Sequence, residues 1–325
     1  MYKVVLSVAL FPFLFLLGCS GLPVQSAADN ENPAAGIEGH IVQADTMHIK
    51  YHNLWSTARF MVVEGGFSGS TKKYPVVLDT GASRSVFVKE SHVRQNQLPC
   101  YSVAEEINDY RVRNCLIREL NLCGIKIVDW PAFYLERKGG SLCGLLAGED
   151  NSIIVGLPVL RHFKYIVFDS IKKDVEFSSD KSFAPIQDNL WQKYPITIEE
   201  DLSGNAFLFV ELPIAGEKVQ VQFDTGSGNG LAVRQTLWQK LRPNFSSVRM
   251  KKGNDVYPYI GRLNCEKTVI PELQVGNRAV KNAMVSVFAD DCPLVDECGA
   301  LLGMQYFFDT AIALDFENNL LWVKN

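Results

Sequence analysis

Asp-Thr-Gly occurs twice in this chain, at Asp79-Thr80-Gly81 and Asp224-Thr225-Gly226, and the carboxylates are 145 residues apart. What surrounds one copy also surrounds the other. Each triplet closes an apolar segment, Tyr74 to Leu78 in the first half and Val219 to Phe223 in the second. Upstream, Ala58 to Glu64 is answered by Ala206 to Glu211, and each is followed by a turn-rich stretch, Gly65 to Lys73 or Leu212 to Lys218. Downstream, Asn114-Cys115 is answered by Asn264-Cys265, and Glu119 to Leu122 by Glu272 to Val275. Ile153-Ile154-Val155-Gly156 is answered by Ala300-Leu301-Leu302-Gly303. Each half then carries an apolar strand closed by Asp169 or Asp315 and finishes on a short strand, Asp174 to Phe177 or Leu320 to Val323. The same marks in the same order imply duplication and pseudo-twofold symmetry. One Asp-Thr-Gly alone would be ordinary turn chemistry after a strand. Two copies at matching distances from an apolar-apolar-Gly mark a site.

The repeated segments are short, alternating or β-branched, and separated by Gly, Pro, Asn and Asp. That pattern predicts an all-β chain. Helix is expected only at Arg234 to Leu241 and Pro158 to His162. The expected fold class is all-β with two lobes: a first lobe over 39–180, a polar connector over 181–193 and a second lobe over 194–325. With 325 residues, 47% of them hydrophobic and 21% charged, the chain can bury a sizeable core. A net charge of −4 without a basic, aromatic-interleaved run argues against nucleic acid as a partner.

Asp79-Thr80-Gly81-Ala82-Ser83 and Asp224-Thr225-Gly226-Ser227-Gly228, each after an apolar strand and each followed by its apolar-apolar-Gly, resemble the active-site signature of aspartic proteases, both pepsin-type and retropepsin. The short halves look most like a fused pair of bacterial retropepsin-like domains. The resemblance implies two acid-protease-like barrels, a monomer with an internal pseudo-dimer, and a peptide or protein substrate, with no cofactor and no metal. It makes Asp79 and Asp224 the catalytic carboxylates. Two such groups close together cannot both ionise, so they share one proton while an activated water attacks the peptide carbonyl. Gly81 and Gly226 let the backbone approach the carboxylates, and Thr80 and Thr225 lock the two loops together. The family's substrate-covering hairpins would fall at Glu105 to Arg113 and Asn254 to Gly261. Tyr110, Tyr257 and Tyr259 are either their aromatics or ordinary strand tyrosines. Gly156 and Gly303 are fold features. The alternative function is a catalytically silent peptide-binding lipoprotein on the same fold.

The N-terminus carries Lys3, then an apolar run from Val4 to Leu17, too short to span a bilayer comfortably. It ends in Leu16-Leu17-Gly18-Cys19, which resembles the lipobox of bacterial lipoproteins. The resemblance implies a signal peptide over 1–18, lipidation (a palmitate-type anchor) at Cys19 and a tether over 19–38. The chain is then an exported membrane-anchored protein of a bacterial cell envelope, and Ser20 favours the periplasmic side of the outer membrane over the inner one. Export makes disulfides plausible. Near-equal spacings suggest Cys115–Cys143 and Cys265–Cys292 as equivalent bridges, although spacing alone leaves the connectivity open.

Other signals fall away. His48 and His52 have ligand-like spacing but no third ligand nearby. Gly65 to Lys72 lacks the ending of a phosphate loop and reads as a hairpin turn. No G-x-S-x-G elbow is present.

Overall fold

The computed structural model describes residues 39–43, 46–50, 52–53, 61–107, 110–137, 152–202, 204–245, 248–257, 261–292, 294 and 299–325. The expected signal peptide, Cys19, the tether, Cys143, Cys298 and Tyr259 lie outside these residues.

The first lobe contains β1 (His40–Val42), β3 (His52–Asn53), β4 (Met61–Phe67), β5 (Tyr74–Asp79), β6 (Val86–Phe87), β7 (Cys100–Ile107), β8 (Tyr110–Leu122), β9 (Ile125–Arg137) and β10 (Ile153–Gly156). Six of them close into a barrel in the order β9-β6-β10-β5-β4-β8, with β8 returning to β9. Strand β7 pairs with β8 outside this ring. The second lobe repeats the plan with β14 (Ala206–Ile214), β15 (Glu217–Asp224), β16 (Leu231–Arg234), β17 (Lys251–Tyr257), β18 (Gly261–Val275), β19 (Arg278–Phe288) and β20 (Ala300–Gly303). Here β18-β19-β16-β20-β15-β14 forms the ring, β14 closes on β18, and β17 hangs on β18 as β7 does on β8.

A third set of strands joins the lobes: β2 (Met47–Lys50), β11 (Tyr165–Asp169), β12 (Asp174–Ser178), β13 (Trp191–Glu200), β21 (Ala311–Asp315) and β22 (Leu320–Lys324). They run β13-β22-β21-β11-β12-β2, every pair antiparallel. The strand ending in Asp169 lies beside the strand ending in Asp315, so the final repeated marks meet at the pseudo-twofold axis. Strands β11 and β21 are almost wholly buried. Phe183 packs edge-on against Trp191 and Trp322 over one face of this sheet. Burying an apolar side chain of that size contributes about 1.5–3 kcal/mol. The lobes are therefore joined by a shared core as well as by the chain.

Local rules explain most elements. Strand β10, Ile-Ile-Val-Gly, is buried throughout because it is an interior strand with Ile153 and Val155 packed into one cluster and Ile154 into another. Strand β4 runs further than the turn-rich reading of Gly65 to Lys73 allows. Gly65 and Gly66 belong to the strand because a Cβ at Gly65 would press on Val76 Cγ2 at 2.7 Å and Leu122 Cδ2 at 2.8 Å. The hairpin turn comes only at Ser68 and Gly69, where Gly69 has φ +77. Helix α1 (Glu90–Asn96) was not expected; of its residues only His92 and Val93 are buried, so it has no apolar stripe to betray it. Helix α2 (Leu157–Leu160) starts one residue before the predicted segment, and α3 (Gln235–Leu241) falls where helix was expected.

The predicted bridges are not formed. Cys115 and Cys265 are buried free thiols. Equal spacing misled because it ignores which residues face one another: Cys115 sits opposite Cys100 and Cys265 opposite Gly253. Cys265 and Cys292 do share one small apolar cluster, without a bond between them.

Candidate active site

Strand β5 delivers Asp79 and β15 delivers Asp224. Each runs parallel to the apolar-apolar-Gly strand of its own lobe, with Asp79 opposite Gly156 and Asp224 opposite Gly303. The two glycines make room for the loop that follows each aspartate. A Cβ on Gly156 would overlap the carbonyl oxygen of Arg84, and one on Gly303 would stand 2.5 Å from the carbonyl oxygen of Asn229. The loops are then tied down in the same way in each lobe. Leu157 N donates to Ala82 O at 3.0 Å, and Met304 N donates to Ser227 O at 2.8 Å.

The loops meet across the pseudo-twofold axis. Thr80 N donates to Thr225 Oγ1 at 3.0 Å, and Thr225 N donates to Thr80 Oγ1 at 3.0 Å. Each hydroxyl passes its own proton onward: Thr80 Oγ1 to Phe223 O at 2.7 Å and Thr225 Oγ1 to Leu78 O at 2.7 Å. Both threonines are fully or almost fully buried, so these four bonds have no competing water. Replacing Thr80 with Val keeps the shape but strands the Thr225 amide and the Phe223 carbonyl. At about 1–3 kcal/mol for each unsatisfied buried group, Thr80→Val should destabilise by roughly 2–6 kcal/mol, read as a lower urea midpoint. Thr80→Ser should recover most of it. Equal midpoints for the Val and Ser variants would contradict the exchange.

Gly81 and Gly226 face the opposite carboxylates. A Cβ on Gly226 would overlap Cγ of Asp79, and one on Gly81 would press on Cγ of Asp224. Only glycine fits this approach. Gly81 N donates to Asp79 Oδ1 at 2.8 Å and Ala82 N to the same oxygen at 3.0 Å. The amides of Gly226 and Ser227 serve Asp224 likewise. The two carboxyl groups lie close enough to act on one another directly, and Asp224 Oδ1 is buried without a hydrogen-bond partner. Asp79 keeps partial exposure, whereas Asp224 is only 8% exposed.

The electrostatics are unequal. Burial pushes both carboxyls above the usual carboxylate range. For Asp79 the hydrogen bond from Asp224 and the amides of Gly81, Ala82 and Gly226 pull the other way. For Asp224 the charge of Asp79 and the hydrogen bond between them add to burial, so it rises well above that range. With both carboxyls raised and in contact, the two titrate as one unit that holds a proton between them.

The predicted residues Asp79, Thr80, Gly81, Asp224, Thr225 and Gly226 thus come together at one point. Sequence reasoning missed the Ala82 and Ser227 amides and the Leu78 and Phe223 carbonyls, because backbone groups leave no mark on residue type. Strands β7 and β8 run where the first covering hairpin was expected, with Tyr110 opening β8, and β17 and β18 form the second. Tyr257 ends β17, buried and edge-on to Phe288 at 6.5 Å. Burial, then the charge of Asp255, holds its hydroxyl well above the ordinary phenol range, and the charge of Asp224 adds to this. His48 lies away from the site and pairs with Asp174 at 3.0 Å.

No protein-family model matches the sequence, and no curated protein matches it. Solved structures do. The fold is similar to the aspartic proteinase from Irpex lacteus, with a TM-score of 0.54 and 11% identity over 86% of this chain and 97% of that one. Conglutin gamma, a basic 7S globulin from lupine seeds, matches with a TM-score of 0.47 and 9% identity, over 86% of this chain and 95% of that one. The basic 7S globulin from soybean gives 0.45 and 9%, over 86% and 96%. The first likeness shows the two-lobed pepsin-like fold.

Proposed function

We propose that the chain is an aspartic endopeptidase in which Asp79 and Asp224 activate a water molecule against a peptide bond. The observation that carries this reading is two buried carboxyls brought together across the threonine exchange, each closed over by the glycine of the other loop, with burial raising both above the usual carboxylate range. Ionised Asp79, the more exposed member, takes a proton from the attacking water. Protonated Asp224 donates a hydrogen bond to the scissile carbonyl and stabilises the charge that develops there. No covalent intermediate forms. The amides of Gly81 and Ala82 hold the Asp79 carboxylate in place, and the threonine exchange fixes the separation of the two loops. Proton transfer depends on that separation being right to within a fraction of an ångström.

The test is hydrolysis of an unfolded protein substrate by the purified chain in oxygen-18 water. The label should enter the new carboxylate termini, hydroxylamine should trap no acyl-enzyme, and a statine-type peptide should compete. Binding of the statine peptide without any hydrolysis would leave a peptide-binding protein in place of an enzyme.

The same reading puts the protease on a bacterial membrane surface, held by acyl chains on Cys19 and facing the periplasm. It is supported by Leu16-Leu17-Gly18-Cys19 at the end of an apolar run. Cys19→Ala should move the protein from the membrane fraction to the soluble one or leave it unprocessed. Unchanged fractionation, with no lipid found by mass spectrometry, would remove the anchor from the proposal.

A further inference from the structure

Strand β7 is an edge strand, and among the described residues only β8 pairs with it. At its start Cys100 stands directly opposite Cys115. The ladder defines what kind of pair this is. Leu116 N donates to Pro99 O at 2.9 Å, one residue beyond the pair on each strand. Cys100 and Cys115 therefore occupy a non-hydrogen-bonded position, where antiparallel Cα atoms stand about 4.5 Å apart and side chains approach most closely. That separation lies within the range a disulfide spans, about 4.4–6.8 Å between Cα atoms. The pair is also placed for chemistry. Cys100 is exposed, and its thiol makes only a weak contact to Leu98 O at 3.5 Å. Cys115 is completely buried against the barrel core.

We propose that Cys100 and Cys115 form a cross-strand disulfide when the protein meets a disulfide-bearing oxidant. The oxidant reaches exposed Cys100 first. The Cys100 sulfur attacks it, forming a mixed disulfide and releasing one thiolate. The Cys115 thiolate then attacks the Cys100 sulfur and expels the second. Two cysteine thiols are oxidised, and the two protons they give up pass to the departing thiolates, so one molecule of the oxidant leaves as two thiols. The second step is slow near neutrality, because burial and then the nearby Cys100 push the Cys115 thiol up to about 12. The bond would fasten the start of β7 (Cys100–Ile107) to β8. The second lobe has no counterpart, since Cys265 faces Gly253.

The experiment is incubation of the full chain with excess oxidised glutathione, followed by peptide mapping without reduction. Cys100 and Cys115 should appear in one linked pair of peptides about 2 Da lighter than the two thiol peptides together. The rate of linkage should rise about tenfold per pH unit over pH 7–9, as the Cys115 thiolate fraction does. Cys100→Ser, at an exposed position, should fold normally and lose the linkage. Cys115→Ala should leave glutathione on Cys100, and the Cys100→Ser result stands even if that variant fails to fold. A glutathione adduct persisting on Cys100 of the wild type after oxidation at pH 9, or Cys115 linked to any other cysteine, would overturn the pairing. So would two unmodified thiols after oxidation at pH 9.

Discussion

Asp224→Asn and Asp79→Asn should each reduce peptide hydrolysis by at least about 10²–10⁴-fold, the range in which positioned acid–base groups act. Each removes a different half of the chemistry. Asn at 79 cannot take a proton from water, and Asn at 224 cannot supply the proton that a carboxylic acid gives to the carbonyl. Neither should disturb the fold, because Asn is nearly isosteric and keeps an oxygen for the Gly81 and Ala82 amides or for the Gly226 and Ser227 amides. The double variant should be no worse than the worse single one, since residues acting as a unit are not additive. The measurement is kcat/KM on one quenched fluorescent peptide for all three variants, with circular dichroism as the check on folding. A variant that keeps more than about a tenth of wild-type activity would show that its carboxylate is not part of a shared-proton pair.

The same pair should leave its signature on stability against pH. Burial holds Asp224 protonated in the folded chain over a range in which an unfolded aspartate is already ionised. The folded state therefore binds more protons than the unfolded one above about pH 4. The stability due to this group is complete below the unfolded pKa and is lost as pH rises towards the folded one. The expected slope is a loss of about 1.4 kcal/mol per pH unit for one proton. Asn at 224 cannot ionise, so Asp224→Asn should remove that slope and become more stable than the wild type near pH 7. Stability and activity then move in opposite directions in one variant, as expected where a site holds strain for function. Urea unfolding at half-unit steps from pH 4 to pH 7 measures it. Parallel curves for the two proteins would mean that Asp224 is ionised in the fold, contrary to its burial beside Asp79.

What was legible in the sequence was whatever the duplication wrote twice. The strands that end in Asp79 and Asp224, the partner strands that end in Gly156 and Gly303, and the strands closed by Asp169 and Asp315 lie where their residues predicted. The threonine exchange was implied by the resemblance to aspartic proteases, and the two loops form it. Features of one lobe alone were harder. Strand β13 begins in the polar connector with Trp191 and Gln192, and its mostly exposed pattern hides its place in the joining sheet. Gly65 and Gly66 read as a turn, because nothing in a sequence reveals the Val76 and Leu122 side chains that a Cβ at Gly65 would press on. The cysteines failed for a deeper reason. Pairing depends on register and face, and sequence distance fixes neither.

The joining sheet has a consequence for how the two aspartates differ. A retropepsin-like site built from two identical subunits would give its carboxyls the same surroundings, so a shared proton would have no preferred owner. Its concentration of working sites would fall on dilution, as any dimer's does. Here both halves lie on one chain, with β11 of the first paired to β21 of the second. The two loops meet at an effective concentration set by the chain and not by the amount of protein. Once the halves are inseparable, each can drift. Ala82-Ser83 follows one aspartate's glycine and Ser227-Gly228 the other's, and Asp224 is buried while Asp79 keeps some exposure. Fusion lets the two carboxyls of one site have different surroundings, so under the proposed mechanism the two directions of a substrate across it are no longer equivalent.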